Sequence, residues 1–221
     1  MNKYRAIALG SAVAAGLAVT SLPAGAQSNQ AACRSAAATK GAHIVAQNTQ
    51  AVAFTQGGRL KGCSFSTGKV RSITIHKGSI STNLHTLHGD FLAYQSQRSN
   101  ESGSDNQVVV YDLRAGKARL REVTPMNDVE GGGFVTALVV RAHGPAAQPA
   151  VGYIVGSPTE TGFRREVHTI VGGEDRVVDS ENVANEAAGT IGARSLATTE
   201  FDHANAFWLH GDQPRVAPLS Q

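Results

Sequence analysis

The chain has 221 residues, with 20 Lys and Arg against 17 Asp and Glu, 24 glycines and two cysteines. That length suffices for one domain with a real core, and two cysteines exclude a disulfide-dense scaffold. Charge is nearly balanced and no basic run exceeds Arg164-Arg165, which argues against a nucleic-acid-binding face.

In chain order, Lys3 and Arg5 form a charged start, Ala6 to Thr20 an apolar run, and Pro23 precedes Ala24-Gly25-Ala26. Residues 1–26 therefore read as a secretory signal peptide cleaved before Gln27. The apolar run of about 15 residues is shorter than the ~20 that span a bilayer. Removing Lys3 and Arg5 from the 20 basic residues leaves 18 against 17 acidic ones. The expected product is secreted or periplasmic, and not an integral membrane protein. Residues 27–41 form an N-terminal segment, and residues 42–221 the main domain. Ala31 to Ala38 and Asn182 to Ala188 are the only stretches with helical character, without a sustained 3.6-residue stripe. Cys33 and Cys63 lack the spacing of a metal or redox motif. In an oxidising compartment they pair as one disulfide.

Short runs of Val, Ile, Thr and Ala between glycine turns predict many strands. The clearest pair is Asp90-Phe-Leu-Ala-Tyr-Gln95 and Gln107-Val-Val-Val-Tyr-Asp-Leu-Arg-Ala-Gly-Lys117. A related unit runs from Gln50 to Thr55, Arg59 to Phe65 and a Thr67-Gly68 turn. Another runs from Gly133 to Val140, Ala150 to Val155 and Thr161-Gly162. The last runs from Ala204 to Leu209 and Arg215 to Leu219. Gly68, Gly116 and Gly162 close three units 48 and 46 residues apart. Such a period suits propeller blades, small sheets that bury two faces by stacking. Val70 to Ile75 fits an outer strand of the first unit or the start of the second. Glu166 to Val171 and Arg176 to Asp179 flank a hairpin turn at Gly172-Gly173-Glu174-Asp175. The expected fold is all-β: a β-propeller-like repeat of about four small antiparallel sheets, either a full ring or an incomplete one. A β-sandwich is the alternative.

The pattern Phe-Leu-Ala-Tyr followed by Val-Val-Val-Tyr-Asp-Leu-Arg-Ala-Gly-Lys resembles the blades of small secreted bacterial β-propeller-like proteins with TolB and WD40-like repeats. The closing hairpin around Trp208 resembles their short last blade. The resemblance spans about residues 42 to 219 and implies a blade architecture, not an activity. The Gly-His and Trp-Asp signatures of WD40 repeats are missing.

No nucleophile elbow, zincin motif or calcium loop occurs. Gly62 to Lys69 has five residues between its glycines where a P-loop needs four, and reads as a hairpin turn. His76, His85 and His88 with Asp90 are weak candidates for a metal. On a strand, however, His85 and His88 point to opposite faces. The expectation is no metal, no cofactor and no catalytic residue. Glu130, Glu174-Asp175 and Glu200 with Asp202 are acids near turns. His88-Gly89-Asp90 and His210-Gly211-Asp212 share a tripeptide but sit at different phases of the repeat, one before a strand and one in a turn, and read as a coincidence. Two long polar connections, Ser96–Asn106 and Arg141–Pro149, are read as neighbouring loops on one rim, with Arg98, Glu101, Asp105, Arg141 and His143 as exposed binding candidates. The leading functional reading is thus an exported binding module whose ligand is a protein, a glycan or a small molecule. The alternative is a secreted hydrolase or lyase with an acidic or histidine site assembled from loops.

Overall fold

The computed structural model of the protein describes residues 24–73, 81–100, 103–124, 133–141, 148–199 and 204–220. A helix, α1 (Ala24–Ala37), precedes four antiparallel sheets. Sheet 1 holds β1 (Ala42–Gln47), β2 (Ala51–Gln56), β3 (Arg59–Ser64) and β4 (Val70–Ser72) in that order. Sheet 2 holds β5 (Ser81–His88), β6 (Phe91–Asn100), β7 (Gly103–Asp112) and β8 (Lys117–Val123). Sheet 3 holds β9 (Phe134–Arg141), β10 (Ala150–Thr159), β11 (Gly162–Val171) and β12 (Glu174–Val183). Sheet 4 is smaller, with β13 (Ala197–Thr198), β14 (Asn205–His210) and β15 (Gln213–Pro218). Every sheet is a meander in which sequence neighbours pair, so local hairpins define the topology. Gly172 and Gly173 join β11 to β12 at φ 64 and 86°. Two successive positive φ values are what a two-residue hairpin turn needs and what glycine permits.

Alternation along the strands gives each sheet two apolar faces, and successive sheets cover them in turn. Ala51, Ala53 and Leu60 of sheet 1 meet Leu92, Tyr94 and Val109 of sheet 2. The other face of sheet 2, with Phe91, Ala93, Val108 and Val110, meets Leu138, Val140, Val151 and Tyr153 of sheet 3. Beyond it, Ala137, Ile154 and Val167 pack against Trp208 and Ala217 of sheet 4. Gly62 shows how close the first pair lies: a Cβ there would come within 2.3 Å of Leu113 Cδ2. The first strands β1, β5 and β9 are adjacent from sheet to sheet and line the common centre. This is a propeller-like succession of blades, all-β, and not the two-layer β-sandwich alternative. Among the described residues no core cluster joins sheet 4 back to sheet 1.

The free face of sheet 1 is covered by α1. Cys33 and Ala37 pack on Val52, Phe54, Cys63 and Phe65. The helix is rich in alanine, which favours helix and lets its axis approach the sheet. The Cys33–Cys63 disulfide, buried at both ends, fastens it there, as the sequence led us to expect. The helix is longer than the Ala31 to Ala38 stretch and contains Gln27.

Three expectations are corrected. Gly162 does not correspond to Gly68 and Gly116. Those two follow the third strand of their sheets, whereas Gly162 follows the second strand of sheet 3. The glycine spacing was therefore one strand out of phase. Ser96–Asn106 is not a loop but the paired arms of β6 and β7, in register from Ser96↔Gln107 to Asn100↔Gly103. Its polar residues had read as a connection. Gln95 instead donates from Nε2 to Asn106 Oδ1 (3.0 Å), and Asn106 Nδ2 donates to the Gly133 carbonyl. Asn182 to Ala188 is helical only in a 3-10 turn, Glu186–Ala188, capped by Asn185.

If the disulfide holds the cap, Cys33→Ser will lower the folding free energy by roughly 2–5 kcal/mol. Thermal unfolding of the oxidised parent and the variant checks this; equal melting temperatures would refute it.

Candidate functional site

Several buried ionisable groups of the described residues lie where blades meet. The densest group faces sheet 2 from sheet 3. Tyr153 and His168 are direct partners on β10 and β11 and stack with ring centroids 4.7 Å apart. Alternation places Glu166 on the same face as His168. His168 Nε2 lies 3.1 Å from Glu166 Oε2, and its Nδ1 lies 3.1 Å from Asp175 Oδ1. Tyr153 donates its hydroxyl to Asp175 Oδ2 at 2.6 Å. Arg164 pairs with the second oxygen of Glu166. From the facing blade, Glu122 is held above its ordinary value by burial and by the nearby Asp175 charge. Burial likewise pushes the Tyr153 hydroxyl up, and its bond to Asp175 adds to this.

An ionised carboxylate only accepts hydrogen bonds. Both contacts of His168 are therefore complete when its ring donates from both nitrogens. Arg164 and an imidazolium then balance Glu166 and Asp175. Such a node can hold a proton between two acids. His168 and Glu166 are 1 % and 3 % exposed, whereas the side chains of Asp175 and Arg164 are 20 % and 46 % exposed, so the node opens to solvent on one side. No serine, threonine or cysteine side chain forms part of it.

The interface of sheets 3 and 4 carries two further polar ties. Trp208 Nε1 donates to Asp179 Oδ2 at 2.8 Å, and His210 Nδ1 sits 2.9 Å from the same oxygen. Burial raises the Asp179 carboxyl, but the bonds from Trp208 and His210 outweigh it, and the group lies below its usual range. Arg165, almost fully buried, donates to the Ile191 carbonyl at 2.6 Å and reaches Glu181 at 3.3 Å. Glu181 in turn accepts from the Thr190 and Ile191 amides. The pair fastens the crossing from β12 into sheet 4.

The sequence candidates are scattered. Arg141 is buried, not exposed, and its Nη1 donates to the Leu219 carbonyl at 3.0 Å. Arg98 and Asp105 are paired positions across the β6–β7 hairpin, but their side chains lie outside the described residues. Glu101 and His143 lie outside them entirely, as do His76, Glu130, Glu200 and Asp202. The two connections do not share a rim. One joins the second and third strands of sheet 2, the other the first and second strands of sheet 3, so they leave at opposite ends of their sheets. His85 and His88 pair with Tyr94 and Phe91 on opposite faces of β5. Among the described residues no group of three or more His, Cys, Asp or Glu is placed to hold a metal. Of the two described acids near turns, Glu174 and Asp175, it is Asp175 that enters the node. Glu166 and His168 were missed, although their i, i+2 spacing on a strand signals a shared face.

No family model matches the chain, and no curated protein matches it. Among solved structures, the acylaminoacyl peptidase of Pyrococcus horikoshii (orthorhombic crystal form) is similar at 10% identity and a TM-score of 0.41. The match covers 76% of this chain and 28% of that one. The class defined here, a propeller-like stack of small antiparallel sheets, follows from the sheets themselves.

Two titrations test the interfaces. Glu122 has a raised value in the folded state, so its protonated form favours folding. That contribution is full below the ordinary glutamate range and is lost as pH rises through the folded value. Glu122→Gln should melt higher than the parent at pH 7 and converge with it below about pH 4. Asp179 is depressed, so its contribution is present above the ordinary aspartate range and lost as pH falls through the folded value. Asp179→Asn should melt lower at pH 7, with the gap closing in acid. Melting temperatures across pH check both signs.

Proposed function

We propose that the protein is an exported, non-catalytic interaction module of β-propeller type. The observation that supports this reading best is the outer face of sheet 4. Phe207 pairs with Val216 and Ala197, and Leu209 with Pro214, which places all five on one face. Trp208, Ala206 and Ala217 point the other way, into sheet 3. Leu209 and Val216 remain 46 % and 58 % exposed. A rigid sheet presenting such a surface suits recognition of another molecule better than it suits solvent. The buried disulfide fits an oxidising compartment, and no helix of the described residues is long and apolar enough to cross a membrane.

Among the described residues, the hydrolase or lyase reading would draw on the His168 node. That node lies behind strands rather than on loops, and both ring nitrogens are already engaged.

A photoreactive side chain at position 216, expressed in the exporting cell, tests the module. Covalent adducts should form at position 216 and be scarce at position 178, an equally apolar exposed site on β12. Equal yields at the two positions would overturn the assignment of this face.

A further inference from the structure

Resting on the reading of the protein as exported, with residues 1–26 as its leader, we propose that Gln27 becomes the first residue and closes on itself to pyroglutamate, so that α1 begins without a charged amine. A glutamine at a free N-terminus carries a nucleophile and an electrophile in one residue. The α-amino nitrogen attacks Cδ of its own carboxamide and a five-membered lactam forms. The Cδ–Nε2 bond breaks, one proton passes from the α-amine to Nε2, and Nε2 leaves as ammonia. The step is intramolecular and needs no oxidant, reductant or co-reactant. It replaces a terminal ammonium by a neutral lactam.

The structure places Gln27 where this closure leaves the fold intact. Gln27 and Ser28 are exposed in the first turn of α1. Anchoring starts at Asn29, whose Nδ2 donates to the Ser66 carbonyl at 3.2 Å and whose side chain lies against Gly68. Cys33 and Ala37 follow, packed on sheet 1. Cleavage before Gln27 removes Ala24, Gly25 and Ala26 from the 14 residues of α1, together with the bond from Ser28 Oγ to the Gly25 carbonyl. Asn29, Cys33 and Ala37 keep their contacts. A five-membered ring suits the first helical position for the reason that proline does, since the amide there has no partner within the helix.

The charge pattern of α1 favours the lactam. Aligned peptide dipoles put partial positive charge at the start of a helix. The first turn of α1 holds no acid, and neither does Gln27-Ser28-Asn29-Gln30, the first turn after cleavage. Its basic residue, Arg34, lies in the last turn, where the dipole favours it. An ammonium at Gln27 would oppose the dipole with no acid in that turn to offset it. The lactam also removes the group that aminopeptidases bind. Trimming would otherwise reach Asn29 after two residues and the disulfide-bonded Cys33 after six.

Intact-mass measurement of the full chain, expressed in an exporting cell and freshly recovered, tests the proposal. The expected species starts at residue 27 and, after allowance for the disulfide, is lighter than its sequence by one ammonia, about 17 Da. It should also resist N-terminal sequencing. Gln27→Asn, which could close only a strained four-membered ring, should keep its amine and show no such loss. That variant should melt below the parent near pH 6. The gap should narrow as pH rises through the ordinary α-amino range, about 7.7–8.0, because the opposing ammonium is then lost. If the variant is not exported, the parent's mass decides alone. A chain that starts at residue 27 with its full mass, or at another residue beyond the leader, overturns the proposal and leaves export standing. A chain that retains residues 1–26 overturns both. A gap that is constant with pH rejects the part given to the helix charge.

Discussion

The whole structure depends on one constraint: a narrow antiparallel sheet with two apolar faces cannot leave either in water. Burying a valine or leucine side chain is worth about 1.5–3 kcal/mol, and each central sheet here buries several on both sides. Val108 and Val109 are adjacent in sequence, point in opposite directions and are both fully buried. A single hairpin could not achieve that. Sheets 2 and 3 are solved by their neighbours. The two ends are different problems, and they have different solutions.

At the first end the solution is a helix and a covalent bond. α1 packs only the small side chains of Cys33, Ala36 and Ala37 into the core cluster on sheet 1, so dispersion contacts alone give it a modest hold. The disulfide compensates by limiting how far the helix can depart. At the last end, sheet 4 buries Trp208 and Ala217 inward and leaves its other face bare. Polar ties reinforce this end. Asp179 holds Trp208 and His210, and Arg165 with Glu181 holds the crossing that leads into the sheet. A three-stranded terminal blade with one covered face has less apolar burial to position it, and directional bonds to the preceding blade make up the difference. The ends thus differ in packing. A helix covers the first, and directional bonds hold the last in shape while it keeps an apolar face exposed, the face that the proposed function assigns to a partner.

The strands and their blade grouping were legible because they rest on local signals. Short apolar runs between turns marked β6, β7 and β10, and Gly172-Gly173 marked the hairpin between β11 and β12. The phase of the repeat was not legible. Glycine closes different turns in different blades, so Gly162 was matched to the wrong one. Composition also misled at Ser96–Asn106, where Gln95 and Asn106 satisfy each other inside a hairpin that looks like a polar loop. His88-Gly89-Asp90 and His210-Gly211-Asp212 appeared unrelated. Both prove to be two-residue hairpin turns with glycine at φ near 60°. The His168 node was hidden because its members come from three strands and the facing blade, and only Glu166 and His168 have a sequence spacing that hints at it. Arg141 was taken for a surface group because charge usually means exposure. A carbonyl at the distant Leu219 is what allows it to be buried.

Hydrogen exchange resolved by strand, on oxidised protein at low micromolar concentration, tests this stack, with its last face bare, most directly. Sheets 2 and 3 should exchange slowest. Sheet 1, under α1, should approach them, and β14 and β15 should be clearly faster than β10 and β11. Protection of β14 and β15 equal to that of sheet 3 would mean that the last face is covered within the molecule, and would contradict the account. So would exchange fastest in β2 and β3.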